Sequence, residues 1–251
     1  MTDNEIELRG HRTRLVDDGA GSPLVLVHGT PFDLGSWDPL VAALAGRRTV
    51  RYDVRGHGSA KGVPVPGVAE LVADLFAVLD RLDLAAAHLV GHSWGGEIVL
   101  RAALDHPERV SRLSLVCTRA APFPSFHTVA DGLRDGTADR TASLARWFGA
   151  AELARADPLV ASIRAQLVDA DTPAWAAALD MIAAFDVLGE LPTLAVPVDV
   201  VAAEHDGVGT AEHMARIAET VPRGTFQVAP GAYHLLPLQR PEFVAAALQA
   251  G

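Results

Sequence analysis

The segment Gly91-His92-Ser93-Trp94-Gly95-Gly96 constrains this chain more than any other. The apolar run Ala85-Ala86-Ala87-His88-Leu89-Val90 precedes it and reads as a strand. Ile98-Val99-Leu100 and Ala102-Ala103-Leu104 follow it at helical spacing. A chain that passes from strand to helix this abruptly crowds out side chains two positions on either side of the central residue. Gly91 and Gly95 fit those two positions. The turn lifts the Ser93 hydroxyl into solvent at a helix N-terminus, where free N–H groups and the helix dipole favour negative charge. A Gly-x-Ser-x-Gly alone also arises in ordinary Gly-rich turns. The strand before it and the helix after it are the context that makes Ser93 a candidate nucleophile.

A serine hydroxyl is a poor nucleophile at neutral pH and needs a base, oriented by an acid. In this architecture the chain order is Ser, acid, His. Val196-Pro197-Val198-Asp199-Val200-Val201-Ala202-Ala203 reads as a β-branched strand ending in Glu204-His205-Asp206-Gly207-Val208-Gly209. Catalytic groups of open α/β sheets sit past the carboxyl ends of strands. Asp206 is therefore the expected acid, favoured over Glu204 because the turn residues follow it directly. An Asp beside Gly is also a common turn or cap residue. The next strand, Gly224-Thr225-Phe226-Gln227-Val228-Ala229, leads through Pro230-Gly231-Ala232-Tyr233 to His234. That loop, between the last strand and a final amphipathic helix from Phe243 to Leu248, places His234 as the expected base.

Acyl transfer builds a negative oxygen that needs aimed N–H donors. One is the amide of Trp94, the residue after the candidate nucleophile. The other is expected from His28-Gly29-Thr30-Pro31-Phe32, which follows the strand Ser22-Pro23-Leu24-Val25-Leu26-Val27. Pro31 has no N–H, so Thr30 is the expected donor, with Phe32 next.

Together these segments resemble the α/β-hydrolase superfamily. The matching set is His28-Gly29-Thr30-Pro31, Asp53-Val54-Arg55-Gly56-His57-Gly58-Ser59, Gly91 to Gly96, the Asp206 region, and His234 to Glu242. It spans almost the whole chain in the family's order. The resemblance implies a triad of Ser93, Asp206 and His234, an oxyanion hole shaped by the first segment, and a structural turn at the second. Two positions depart from the family: Ala203 and Tyr233 stand where Gly is frequent. Tyr233 puts a bulky ring beside the base, either packed against it or restricting the pocket.

The 251 residues suit one sizeable core. Strand and helix patterns alternate, which predicts an α/β fold with a mostly parallel central sheet, helices on both faces and a small inserted helical lid. Strands are expected within 6–16 and at 48–54 and 112–117, and helices at 37–44 and 68–82. The last has Val68, Leu71, Val72, Leu75, Val78, Leu79 and Leu82 on one face. From 118 to 194 no strand pattern is visible. Ala120-Ala121-Pro122-Phe123-Pro124 reads as an exit loop, and helices are expected at 141–148, 158–168 and 173–187, with Pro158 and Pro173 in first turns. The expected division is a core of 1–118 and 195–251 and a lid of 119–194. The pocket is expected to be apolar and lined by Phe32, Trp37, Phe123, Trp147 and Trp175, although aromatics at helical spacing more often pack cores. No basic residue stands out as a carboxylate clamp; Arg119 and Arg55 are candidates, although isolated arginines are usually solvated or structural.

A net charge of −10, with scattered Lys and Arg, argues against nucleic-acid binding. The single cysteine, Cys117, excludes an internal disulfide and reads as apolar filler in a strand. The acidic, polar start Thr2-Asp3-Asn4-Glu5 is unlike a signal peptide, and no apolar run reaches membrane-spanning length. A cytoplasmic protein is expected. No histidine cluster has metal-ligand spacing, and there is no Gly-x-Gly-x-x-Gly or Walker loop, so neither metal nor nucleotide cofactor is expected. The resemblance implies cofactor-independent hydrolysis of a small, mainly apolar carboxylic ester or lactone, in the small-esterase and enol-lactonase branch. The same triad also supports C–C bond hydrolysis, perhydrolysis, or a lyase or cyclase step, and the fold can serve as a non-catalytic ligand receptor.

Overall fold

The computed structural model describes residues 2–155 and 157–249, so Met1 and residues 250–251 at the ends of the expected core lie outside the described residues. Eight strands form one sheet in the order β1-β2-β4-β3-β5-β6-β7-β8. They are β1 (Thr2–Leu8), β2 (His11–Asp18), β3 (Ala20–Val27), β4 (Arg47–Tyr52), β5 (Ala87–His92), β6 (Val110–Val116), β7 (Val198–Ala203) and β8 (Gly224–Ala229). β1 and β2 pair antiparallel, as do β2 and β4; every pairing from β4 to β8 is parallel. This is the expected α/β-hydrolase architecture.

The central strands are buried on both faces, which explains their near-continuous apolar sequences. Side chains alternate between two cores. Leu24 and Leu26 of β3 join Val90, Val116 and Val201 against α1 (Asp38–Ala43) and α11 (Pro241–Gln249). Val25 and Val27 join Leu89, Leu113 and Val200 against α2 (Val68–Arg81), α3 (Trp94–Asp105) and α9 (Ala211–Thr220). The α2 helix buries Leu71, Val72, Leu75, Val78 and Leu79 along the stripe expected from its spacing. It stops where Asp83 turns into the left-handed region at φ 54°.

Between β6 and β7 the described chain contains no strand. It carries α4 (Ser125–Asp135), α5 (Leu144–Trp147), α6 (Ala150–Ala154), α7 (Pro158–Asp169) and α8 (Thr172–Ala184). Two of these were not expected. The α4 helix begins directly after Pro124 and buries Phe126, Ala130 and Leu133 at positions i, i+4 and i+7. Of the helix expected over 141–148, only α5 forms. Asp157 and Asp171 cap α7 and α8 by accepting from the amides of Leu159 (2.8 Å) and Ala174 (2.9 Å). The α8 helix ends before 187 because Phe185 turns extended.

The chain passes from β4 over β3 to β5, so the strand order reverses direction between β3 and β5. Ligands of open α/β sheets bind at the carboxyl ends of the strands flanking such a switch. The loops leaving β3 and β5 there carry Thr30 and Ser93. Among the described residues, no helix is long and apolar enough to cross a membrane.

Candidate active site

Ser93 joins the last residue of β5 to the first of α3 with φ 53° and ψ −122°, a backbone conformation few non-glycine residues adopt. The strain is held by its surroundings. The Ser93 amide donates to the Val116 carbonyl at 3.0 Å, and its own carbonyl accepts from the Gly96 amide (2.8 Å) and the Thr118 hydroxyl (2.6 Å). The two flanking glycines are set by close backbone approach: a methyl on Gly91 would meet the Gly95 carbonyl, and one on Gly95 would meet the Val27 carbonyl of β3. Both obstacles are backbone and cannot rotate away. Gly95→Ala is expected to lower unfolding free energy by about 1–3 kcal/mol or more. Gly189→Ala, where nothing lies within 4 Å, should stay within about 0.5 kcal/mol. Urea unfolding of the two variants checks the difference, and equal losses would remove the steric account.

His234, on the loop after β8, lies with Nε2 2.9 Å from the Ser93 hydroxyl and Nδ1 2.9 Å from Asp206 Oδ2. The other Asp206 oxygen accepts from the Val208 amide at 2.7 Å. An ionised Asp206 accepts only, so Nδ1 carries the proton and Nε2 is left to accept from the serine. All three side chains are buried, with Ser93, Asp206 and His234 at 8%, 5% and 3% exposure, so their interactions are little screened. Burial alone would raise the Asp206 pKa. The neighbouring His234 and the bonds from His234 and Val208 outweigh it, and the net shift is downward. Glu204 is exposed and accepts from the Gly231 amide at 2.7 Å, away from His234.

A layer of neutral histidines supports this row. His92 Nε2 donates to the His234 carbonyl at 2.8 Å. Burial, then the proximity of His234, lowers its pKa to about 3. His57 is likewise lowered to about 3, by burial and then by His28. Its Nδ1 donates to the Arg55 carbonyl (2.9 Å) and its Nε2 accepts from the Thr30 hydroxyl (2.8 Å). Cys117 is buried, and burial and the adjacent Asp206 carboxylate keep its thiol protonated. Tyr233 turns away from the cavity, its ring 5.2 Å from His205 and its hydroxyl end beside Gly149.

Gly29 brings the β3 loop close against Ser93 (a methyl there would lie 3.1 Å from the Ser93 Cβ). The Phe32 amide is committed to the Gly29 carbonyl at 3.1 Å, which removes it as an anion donor. The amides of Thr30 and Trp94 donate to no protein acceptor among the described residues.

A narrow cavity opens above Ser93. Thr30 and His234 form its floor; Trp147, Trp175, Phe126 and Leu179 form much of its wall. Trp147 stacks on His234, with centroids 6.1 Å apart and planes at 20°. Three expected wall residues lie elsewhere. Trp37 sits on the edge of His92 in the core beneath α1 and α11. Phe32 lies behind Trp147, with ring centroids 5.3 Å apart. Phe123 packs edge-on against Phe126 and under the Arg119 guanidinium. Neither arginine noted from sequence faces the cavity: Arg55 pairs with Asp74, and Arg119 donates to the carbonyls of Ala121, Pro122 and Val208. Phe126, a lid aromatic visible in the sequence but not assigned to the wall, lines the cavity, as does Arg146, which sequence reasoning missed. Arg146 had a signal: no acidic residue stands three or four positions away on either side.

Comparison with known proteins places this geometry among relatives. The enol-lactonase from Burkholderia xenovorans LB400 superposes with a TM-score of 0.91 at 28% identity, over 98% of each chain. The 3-oxoadipate enol-lactonase 1 of Acinetobacter baylyi is 28% identical over 84% of this chain and 80% of its own length. The 2-hydroxymuconate semialdehyde hydrolase of a Pseudomonas strain is 38% identical over 48% of this chain and 44% of its own. The chain thus spans less than half of some curated relatives and most of others. The sequence profile of the alpha/beta hydrolase fold matches residues 22–241, and the chain belongs to that family.

Proposed function

We propose that the chain is a serine hydrolase acting on a small carboxylic ester or lactone. The observation that carries this reading is the unbroken buried row from the Ser93 hydroxyl through His234 to Asp206, with both links at 2.9 Å. His234 Nε2 takes the hydroxyl proton as Ser93 Oγ attacks the carbonyl carbon. The carbonyl oxygen becomes an anion held by the free amides of Thr30 and Trp94. Collapse breaks the bond to the alkoxide, which leaves with the proton held by His234. The Ser93 acyl ester is then attacked by water, which gives a proton to His234. Release of the acid returns that proton to Ser93. Asp206 stays ionised throughout and holds the imidazole in the working tautomer. The steps balance with these groups and water.

A second reading, hydrolysis of a C–C bond, draws support from the similarity to the 2-hydroxymuconate semialdehyde hydrolase. It uses the same row, with a carbanion as leaving group. A fluorophosphonate probe tests the shared nucleophile. Intact-mass analysis should show one adduct at Ser93, lost in Ser93→Ala, while a folded protein that takes no label would overturn both readings. A panel of nitrophenyl esters, lactones and vinylogous diketones then separates them by which class turns over.

A further inference from the structure

Among the described residues, Arg146 is the one guanidinium lining the cavity of Ser93 and His234, and no carboxylate pairs with it. Its Nε is buried with no hydrogen-bond partner. Nη2 donates only to the Ser143 hydroxyl, at 3.2 Å. The cation lies over the Phe126 ring, 5.5 Å from its centroid. Burial lowers its pKa with no neighbouring carboxylate to oppose the effect. The other sheltered arginines differ: Arg55, Arg112 and Arg51 each meet an aspartate, and Arg119 donates to three carbonyls. Sheltering a cation without a partner opposes folding, and an anion brought into the cavity would offset that cost. The protein's net charge of −10 repels anions at long range, so anion recognition here has to be local.

We propose that Arg146 is a specificity-determining residue that receives a carboxylate of the substrate, so that the ester or lactone cleaved at Ser93 is a half-acid. The guanidinium fork matches a carboxylate with two parallel N–H···O bonds. A single positive charge cancels a single negative one, whereas a phosphate dianion would leave net charge among Phe126, Trp147 and Trp175. The apolar walls then hold the short methylene chain between the two ends. This rests on the reading of Ser93 above, so its test separates the two.

The probes are the mono-p-nitrophenyl ester of glutaric acid and its neutral amide counterpart, the p-nitrophenyl ester of glutaramic acid. The native chain should favour the acid in kcat/KM. Arg146→Gln should lose about ten- to a hundredfold on the acid and under about threefold on the amide, and Arg146→Lys should recover part of the loss. Binding of monomethyl glutarate to the Ser93→Ala protein, followed by calorimetry, should weaken by a similar factor when Arg146→Gln is added. Equal losses on both esters, or unchanged binding in the double variant, would overturn the proposal and leave Arg146 a packing residue. If neither ester turns over but binding still depends on Arg146, the hydrolase reading fails and the anion site stands. The thermal midpoint of Arg146→Gln should not fall, since the change removes an uncompensated charge.

Discussion

On the proposed mechanism, His234→Ala should lower kcat on a cleaved ester by about four to six orders of magnitude, and Ser93→Ala should do the same. The expectation follows from the row being a single device. Without the imidazole 2.9 Å from the hydroxyl, Ser93 has no group to take its proton: among the described residues no other side-chain base is hydrogen-bonded to it. His92 is the nearest substitute, but its ring is turned to the His234 carbonyl and its pKa of about 3 makes it a poor acceptor. The double variant Ser93→Ala/His234→Ala should therefore be no slower than either single one. Asp206→Asn leaves the geometry near 2.9 Å but turns a donor or a weaker acceptor toward Nδ1. That disfavours the working tautomer at a loss of about 10⁴. The residual rate, carried by the amides of Thr30 and Trp94, should stay above the uncatalysed reaction by about 10³. Single-turnover kinetics on a nitrophenyl ester reads all four proteins. Multiplying losses in the double variant, or a loss below tenfold in His234→Ala, would mean that the row is not the catalytic unit.

The elbow is legible in sequence because its constraint is local. The steric conflict of Gly91 with Gly95, and of Gly95 with β3, acts within a few residues or on an adjacent central strand. The α2 helix is legible because one stripe, Leu71, Val72, Leu75, Val78 and Leu79, with Val68 and Leu82 half-buried at its ends, faces one core. The order of Ser93, Asp206 and His234 follows from strands that all deliver their carboxyl ends to one edge. The choice between Asp206 and Glu204 is different. It depends on how the loop after β7 folds back on the loop after β8, where Glu204 is used to hold Gly231. The α4 helix hides behind two prolines and a segment of weak helix formers, Ser125-Phe126-His127-Thr128-Val129. Packing of Phe126, Ala130 and Leu133 decides it instead. The pocket walls are the least legible, because they depend on which face of α4 meets α8 and on how α5 sets Trp147 against His234. Phe123 and Phe126 are three residues apart and end in different places. Trp37 is close to the β3 loop in sequence, yet the turn leading into α1 carries it into the core beneath α1 and α11.

Acidification from pH 7.5 to pH 5 should remove about 6 kcal/mol of folding free energy, two fifths or more of a typical domain's total. His57, His88 and His92 are buried, and burial is the main reason their pKa values fall to about 3, 4 and 3. In the unfolded chain they return to about 6.5. Between those limits the unfolded state binds protons that the folded state refuses, so unfolding is favoured as pH falls. Their contribution is fully present above about pH 6.5 and declines steadily below it. At pH 5 each site has lost about 2 kcal/mol, about 6 kcal/mol in all, against a total of about 5–15 kcal/mol for a typical domain. The Asp206 carboxyl does not share this window: its folded pKa is lowered, so its contribution persists until the pH drops below the ordinary carboxylate range. Two further buried groups act in this window with opposite signs. His28, lowered by burial, adds to the loss, and Glu97, whose carboxyl burial raises well above the usual carboxylate range, works against it. With these two offsetting, urea unfolding at half-unit intervals should give a slope of about 4 kcal/mol per pH unit near pH 5.5, the value for three net protons. His88 sits in β5 with Nε2 2.7 Å from the Ser114 hydroxyl, far from the Ser93 cavity, and an amide can replace that bond. His88→Gln should therefore reduce the slope by about 1.4 kcal/mol per unit without touching catalysis. A stability that stays level from pH 7.5 to 5, or a slope unchanged by His88→Gln, would mean that these imidazoles are protonated in the folded protein after all.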